Sequence, residues 1–333
     1  MLSRFADMTW GYDRLTVLAY HRIAEANAAS ASAPGVVSAS PQGFARQMDH
    51  VRQWYTPIDL DRLADFVVDG RRLPPRPVLI TFDDGYRDNY EIALPILEER
   101  GLPAVLFVAT GLVGTTRMAW WDRVWHAVRM TRLPRATLPE VGRVRLDRPQ
   151  MRNCVWSLLS DTLKRRSFRI REPLIDEIES ALGVERPNRN RPDFMSWSHA
   201  REMARHGIAV QPHTVDHPVL SSETPDDARA QIHASVAMVS ERMGRPIRAF
   251  AFPNGRSGDY RQSEIDALRD ADVRLAFTMT HGPVRAEDAW KAPLEIPRVA
   301  LELKDGWRGF ALKTAGGSKV KDRIRALPRL IGR

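Results

Sequence analysis

Cysteine is nearly missing from this chain: Cys154 is the single thiol among 333 residues. One thiol cannot close an internal disulfide, so the fold must rest on a packed core, and a reducing compartment suits it. Cys154 falls in a helical pattern with no base beside it, which reads as a buried structural thiol. Long apolar runs are missing too, since none approaches the ~20 residues of a membrane-spanning helix. The opening stretch, MLSRFADMTWGYDRLTVLAYHRI, has no apolar core followed by a small-residue cleavage site, so no export signal is read. The expected location is cytoplasmic, at most peripheral at the inner membrane. No internal repeat and no low-complexity block stands out.

What the chain does have is ordinary globular material, with 43% apolar and 27% charged residues, which argues against disorder. Its length allows one large α/β domain or two smaller ones. The net charge of +9 is concentrated at one end, where Lys319, Lys321, Arg323, Arg325, Arg329 and Arg333 face Asp322 alone. Interspersed Val320, Ile324, Leu327, Leu330 and Ile331 suit peripheral contact with an anionic membrane, and a solvated, frayed end is the plain alternative. No nucleic-acid motif accompanies the charge, so no nucleic-acid partner is expected.

Short β-rich runs alternate with helical patterns. Leu15–Tyr20, Val78–Phe82, Ala104–Ala109, Ile208–Gln211, Ile247–Phe252 and Leu275–Met279 read as strands buried on both sides. Ser40-Pro41 opens a helix through about Trp54, Asn89 to Arg100 forms another stopped by Gly101, and Thr224-Pro225 opens a long one closed by Gly244. This order predicts a parallel α/β sheet or barrel. From about Trp120 to Arg191 the rhythm breaks into arginine-rich helical patterns, expected to be a helical insertion between core strands.

The run Thr81-Phe-Asp83-Asp84-Gly85 ends the second strand on two acids. Neighbouring strand residues point to opposite faces, so two acids share a face only where the backbone turns, and Gly85 permits that turn. Ligands of parallel α/β proteins sit at the carboxyl ends of strands, where this pair falls. Alone, Asp-Asp-Gly is turn chemistry. Asp88 and Asn89 are expected to cap the next helix. After a later strand, Gln211-Pro-His213-Thr-Val-Asp-His217-Pro218 places two histidines four apart, close enough to aim at one point. Two histidines and a carboxylate form a recurring catalytic metal site.

Together, Thr81-Phe-Asp83-Asp84-Gly85 and His213-Thr-x-x-His217 resemble the first two motifs of the polysaccharide deacetylase family (NodB-like, carbohydrate esterase family 4), over roughly residues 15–301. The resemblance implies a distorted (β/α) barrel with the helical insertion at about 120–191, a catalytic domain over 1–313 and a basic tail over 314–333. It also implies one divalent metal ion, zinc foremost with cobalt, nickel and manganese as alternatives. By the family pattern Asp84, His213 and His217 hold the metal and Asp83 is the general base. Such a metal keeps a net positive charge and lowers the pKa of bound water from 15.7 toward about 7, so an unbound carboxylate can take its proton. A backbone N–H near Tyr86 is the implied second oxyanion donor.

Two family motifs depart from their usual form. The third, Arg-x-Pro-x-Gly, reads Ala251-Phe-Pro253-Asn254-Gly255, without the arginine that orients the base; Pro253, Asn254 and Gly255 remain substrate-side candidates. Arg298, in Glu295-Ile-Pro-Arg298-Val, is a candidate replacement, with an ordinary ion pair as the alternative. The Leu-x-x-His motif that supplies the acid is missing after residue 282, and His281 lacks the pattern. The first strand, however, carries Leu18-x-x-His21. First and last strands of a closed barrel are neighbours, so a motif moved between chain ends keeps its place in space. His21 is thus the candidate general acid, with a capping or metal-adjacent histidine as the alternative. Trp121, in Trp120-Trp121-Asp122, is a candidate wall of a sugar subsite, or core. His50, His126, His199, His206 and His233 are assigned no chemistry.

The function these residues imply is metal-dependent removal of N-acetyl groups from an amino-sugar glycan, free or lipid-linked, in a bacterial polysaccharide or glycoconjugate. The alternatives are hydrolysis of C–N bonds in small amides on the same fold, and a non-catalytic basic protein binding membrane or nucleic acid. Oligomeric state is not legible.

Overall fold

The computed structural model describes residues 14–25, 32–187 and 192–317; the basic tail of Lys319 to Arg333 lies outside them. Seven parallel strands form the frame: β1 (Arg14–Tyr20), β2 (Pro77–Phe82), β3 (Ala104–Val108), β4 (Ile208–Pro212), β5 (Ala249–Ala251), β6 (Leu275–His281) and β7 (Ile296–Ala300). Their order is β5-β6-β7-β1-β2-β3-β4, so the first strand lies between the last and the second. Leu18 pairs with Val299 on one side and Ile80 on the other. Two short strands extend the sheet, Val284–Arg285 on β1 and Thr56–Pro57 on β2.

Period-two alternation sorts the strand residues between two cores. Leu15, Val17, Leu79, Val105, Phe107, Ala249, Ala251, Leu275, Phe277 and Ile296 share one cluster inside the sheet's curve. Their neighbours Leu18, Tyr20, Val78, Ile80, Phe82, Leu106, Phe250, Ala276 and Val299 face outward against the helices. β4 and β5 meet across a seam made by side chains instead of a backbone ladder. Gln211 Oε1 accepts from the N–H groups of Arg248 (3.0 Å) and Ala249 (2.9 Å). The His213 ring, through Nδ1, bonds the Ala251 carbonyl at 2.6 Å. The result is a nearly closed (β/α) barrel.

The helices start and stop as their caps direct. In α1 (Pro41–Trp54), Ser40 accepts from the Gly43 N–H, and Pro41 fills a position needing no donor. The segment after the acid pair is less regular: Asn89–Ala93 makes a wide π turn before α2 (Leu94–Arg100). Pro95 has no N–H to give Glu91, so the preceding turn opens. Asp88 and Asn89 do not cap this helix, contrary to expectation. Asp88 accepts from Arg22 Nε (2.8 Å) and the Ile23 N–H (3.0 Å), and Asn89 Nδ2 donates to the His21 carbonyl (2.7 Å). Both pin the chain leaving β1.

The insertion has its own core. α3 (Trp120–Met130), α4 (Pro149–Lys164) and α5 (Phe168–Ala181) bury Val124, Val128, Leu159, Leu163, Ile175 and Ile178 together. A hairpin of Arg135–Leu138 and Gly142–Arg145 accompanies them, an element the helical reading omitted. Buried Arg123 ties α3 to α5 through Glu172, Asp176 and Glu179. Cys154 is exposed, correcting the expected buried thiol: Val155, Leu159 and Leu163 set the inward face of α4, and residue 154 lies off it. Among the described residues no helix is long and apolar enough to cross a membrane.

Candidate active site

Strand ends build the site. Asp83 follows β2 on the face of Leu79 and Thr81, its N–H bonded to the Tyr20 carbonyl (2.9 Å). Asp84 then takes a left-handed backbone (φ 74°) and Gly85 another (φ 85°), which separates the two carboxylates. A Cβ on Gly85 would stand 2.9 Å from a Val113 methyl, so the turn requires glycine twice over. Just after β4 the His213 N–H bonds the Val108 carbonyl, and Thr214 Oγ1 accepts from the His217 N–H (3.1 Å), closing a tight turn. Thr214, His217 and Asn254 also have positive φ (62°, 52° and 57°). Four of the chain's strained non-glycine residues thus gather at one site, each holding of order 1 kcal/mol that the surrounding barrel offsets.

Asp84, His213 and His217 converge, all three buried. Asp84 Oδ1 stands 3.6 Å from His213 Nε2 and 3.4 Å from His217 Nε2, and the two rings are 4.9 Å apart. Those separations are too long for hydrogen bonds. They suit two ligand atoms each ~2.0–2.2 Å from one tetrahedral cation, which stand about 3.4 Å apart. Among the described residues Asp84 Oδ1 is buried without a hydrogen-bond partner, an arrangement that costs free energy unless a cation is its partner. Burial lowers the His213 pKa to about 4, against the raising effect of Asp83, and burial followed by His213 holds His217 well below its ordinary value. Both imidazoles are therefore neutral and able to ligate. Burial, then Asp83 and Asp122, raises Asp84 well above the usual carboxylate range. A divalent metal fits this donor set.

Asp83 stands apart from the triad and has a different partner. Arg298, fully buried on the inner face of β7, forks onto it with Nη1–Oδ1 at 2.7 Å and Nη2–Oδ2 at 2.8 Å. The same guanidinium donates to Thr81 Oγ1 (3.2 Å) and the Thr278 carbonyl (3.3 Å). Although burial pushes the Asp83 pKa up, Arg298, His213 and His21 outweigh it and hold the carboxyl far below its ordinary range. Alternation from Ile296 in the inner core puts Arg298 on that face, so the signal was in the strand period. His21, at the end of β1, has Nε2 3.9 Å from Asp83 Oδ2 with a quarter of its side chain exposed. Burial lowers its pKa and Asp83 raises it.

A cavity of about 520 Å³ lies over these groups. Asn254 and Trp121 line it, whereas Pro253, Gly255 and Tyr86 do not. Pro253 and Gly255 shape the turn that presents Asn254. Tyr86 is buried, its hydroxyl donating to Asp122 Oδ2 (3.1 Å) and accepting from Trp121 Nε1 (2.7 Å). Its backbone pairs with Phe194 in a bridge whose hydrogen bonds are made by Arg87 and Gly85, so the Tyr86 N–H points away from that partner. Trp121 also packs edge-on to His217, ring centres 4.6 Å apart. Sequence reasoning missed Trp156, Ser160, Lys164, Arg256, Glu302 and Lys304, which also line the cavity. Most come from the insertion or from loops, where no periodic pattern announces a shared surface.

Fold and site together define a parallel α/β barrel with a buried carboxylate–histidine–histidine cluster at its carboxyl-end mouth. The family profile described as Polysaccharide deacetylase matches residues 70–276. The chain belongs to the polysaccharide deacetylase family. It is 20% identical over 273 residues to YxkH of Bacillus subtilis (strain 168), covering 81% of this chain and 66% of that protein. Over 104 residues it is 27% identical to the poly-beta-1,6-N-acetyl-D-glucosamine N-deacetylase of Escherichia coli (strain K12), covering 31% of this chain and 15% of that protein. The chain thus spans less than two thirds of either relative's length. Among solved structures, the Streptococcus pyogenes deacetylase PplD in complex with acetate shares the fold, with a TM-score of 0.59 at 17% identity over 90% of this chain and 98% of that one.

Proposed function

We propose that this protein is a metal-dependent hydrolase that removes N-acetyl groups from an amino sugar in a bacterial glycan. The observation that carries the reading is the buried Asp84–His213–His217 cluster beside an Asp83 clamped by Arg298. A divalent metal, zinc foremost, would be held by Asp84, His213 and His217, and when bound it lowers the pKa of water and polarises the acetyl carbonyl. The chain's own residues do the rest. Arg298 keeps Asp83 ionised and aimed, which makes Asp83 a weak base. Its use therefore depends on a water already made acidic, and the two features match.

His21 would protonate the departing amine. Its Nε2 lies in the field of Asp83, whose negative charge is what raises the His21 pKa against burial. Once Asp83 has accepted a proton that charge is gone, and His21 becomes the stronger acid at the step that needs one. The Tyr86 N–H would donate to the oxyanion, and Asn254 and Trp121 would contact the sugar. The relative named for N-deacetylation of poly-beta-1,6-N-acetyl-D-glucosamine supports an N-acetyl amino sugar as substrate. A lipid-linked precursor met at the inner membrane, with the basic tail against the lipid, belongs to the same reading.

Metal analysis paired with acetate release from acetylated amino-sugar oligomers tests it, on wild type, Asp83→Asn and His213→Ala. We expect Asp83→Asn to keep metal and lose activity by about 10²–10⁴-fold, and His213→Ala to lose metal. An active, metal-free His213→Ala protein would sink the site. A His21→Ala protein with full activity and an unchanged pH profile would remove His21 from the mechanism.

A further inference from the structure

The cavity carries a charge pattern that deacetylation does not use. Lys164 ends α4 in the insertion, and Arg256 follows the turn at Asn254; both line the cavity over the site. Among the described residues neither side chain has an ion-pair partner, whereas Lys304, also on the cavity wall, is matched by Glu302 at 2.6 Å. The acids whose charge acts on Lys164 do so without pairing. Asp161 lies one turn back on α4, and the Asp259 carboxylate is engaged by the Arg256 backbone N–H at 2.8 Å. Burial lowers the Lys164 pKa and Arg256 lowers it further, so the two cations are close enough to repel. Lys164 is also felt at His21, which brings the ammonium within electrostatic reach of the proposed proton donor. Two unmatched like charges on one cavity wall, with Lys164 partly desolvated, repel until an anion sits between them.

We propose that Lys164 and Arg256 form an anion subsite that takes a carboxylate or phosphate on an acidic amino-sugar glycan, on or next to the sugar whose acetamido group faces Asp83. The subsite rests on the deacetylase reading only for the rest of the ligand. Its charge comes half from the insertion and half from a barrel loop, so the insertion selects substrate while the strand ends supply chemistry.

Equilibrium binding decides it, using the full zinc-loaded chain with Asp83→Asn so that probes are not consumed. The probes are a neutral N-acetylglucosamine tetrasaccharide, one alternating with glucuronate, and one carrying a phosphate. At low salt we expect at least one acidic probe to bind about tenfold tighter than the neutral one, an advantage that shrinks as salt is raised. Adding Lys164→Gln or Arg256→Gln should cut that advantage and leave neutral binding unchanged; the Arg256 side chain is exposed, so its variant keeps the fold. A preference for glucuronate or for phosphate identifies the source of the anion. Equal binding of all three probes, or a preference that survives both substitutions together, overturns the subsite. Wild type releasing no acetate from any probe would instead refute the deacetylase reading, and the binding result would still decide the subsite.

Discussion

The barrel and the insertion meet across one cavity and hold their side chains in different ways. On the barrel side, the groups that shape the site are tied to the main chain or to a second buried partner at three points. Asp83 has Arg298, His213 has the Ala251 carbonyl, and the His217 turn has Thr214. On the insertion side, Lys164 has no such partner, and Trp156 presents its ring to the cavity with an indole N–H that has no partner among the described residues. Rigid, doubly held groups suit reacting atoms, because a small displacement there is costly in rate. Loosely matched groups suit a ligand that brings its own partners. The contrast matches the proposed division of chemistry from selection.

The largest effect expected is at the buried fork. Arg298→Ala leaves Asp83 a buried, unpaired carboxylate, a change that destabilises by about 3–5 kcal/mol. It also removes the chief influence that holds the Asp83 pKa down, so burial is less opposed and the pKa rises. The acid limb of kcat/KM should move to higher pH. Arg298→Lys should not restore it, because one ammonium cannot make the two-pronged contact. A variant with wild-type pH behaviour would place Arg298 outside the mechanism.

Metal affinity should come next, and its pH dependence reports the triad. Asp84 has a raised pKa, so wherever it holds its proton cation binding must displace it, and affinity falls as pH is lowered. His213 adds protonation of its own only as pH approaches about 4. Calorimetry in buffers of different ionisation enthalpy should detect proton release on metal binding that grows as pH is lowered, with none from the histidines at neutral pH. Protons released by both histidines would contradict their buried, neutral state.

Smaller effects fall to the insertion, and they sharpen the division. Trp156→Ala should raise KM several-fold with kcat within about twofold, the pattern of a lost binding surface. A fall in kcat with unchanged KM would break the contrast. Tyr86→Phe leaves Trp121 Nε1 and Asp122 Oδ2 each short of a partner, and should cost about 1–3 kcal/mol in unfolding free energy. Cys154→Ser, at an exposed helix position, should change stability by less than about 0.5 kcal/mol.

The barrel was largely legible in the amino-acid sequence, because buried parallel strands read as short apolar runs and ligand-bearing turns follow them. Asp83, Asp84, His213 and His217 could be found from that placement, and His21 from a motif at the end of β1. Arg298 was visible only through alternation along β7, which puts it on the face of Ile296. The misreadings share a cause. Asp88 and Asn89 have the composition of helix caps, yet long-range contacts to the end of β1 take their side chains. Cys154 was judged by residue type, while its exposure follows from helix phase. Lys164 and Arg256 are 92 positions apart on unrelated elements, and no local pattern brings them together.

The seam between β4 and β5 has a consequence for which positions can change. The His213 ring of the proposed metal cluster also fastens to residue 251, but it fastens to the main-chain carbonyl, which every amino acid supplies equally. The side chain at 251 is therefore free of that duty, and alanine there leaves the ring of strands intact. An arginine can then reach the same carboxylate from β7, where Ile296 already sets the inward phase. The barrel preserves an arrangement in space and not an address in the chain, so the guanidinium and the proposed proton-donor histidine can each be found on a different strand while facing the same acid.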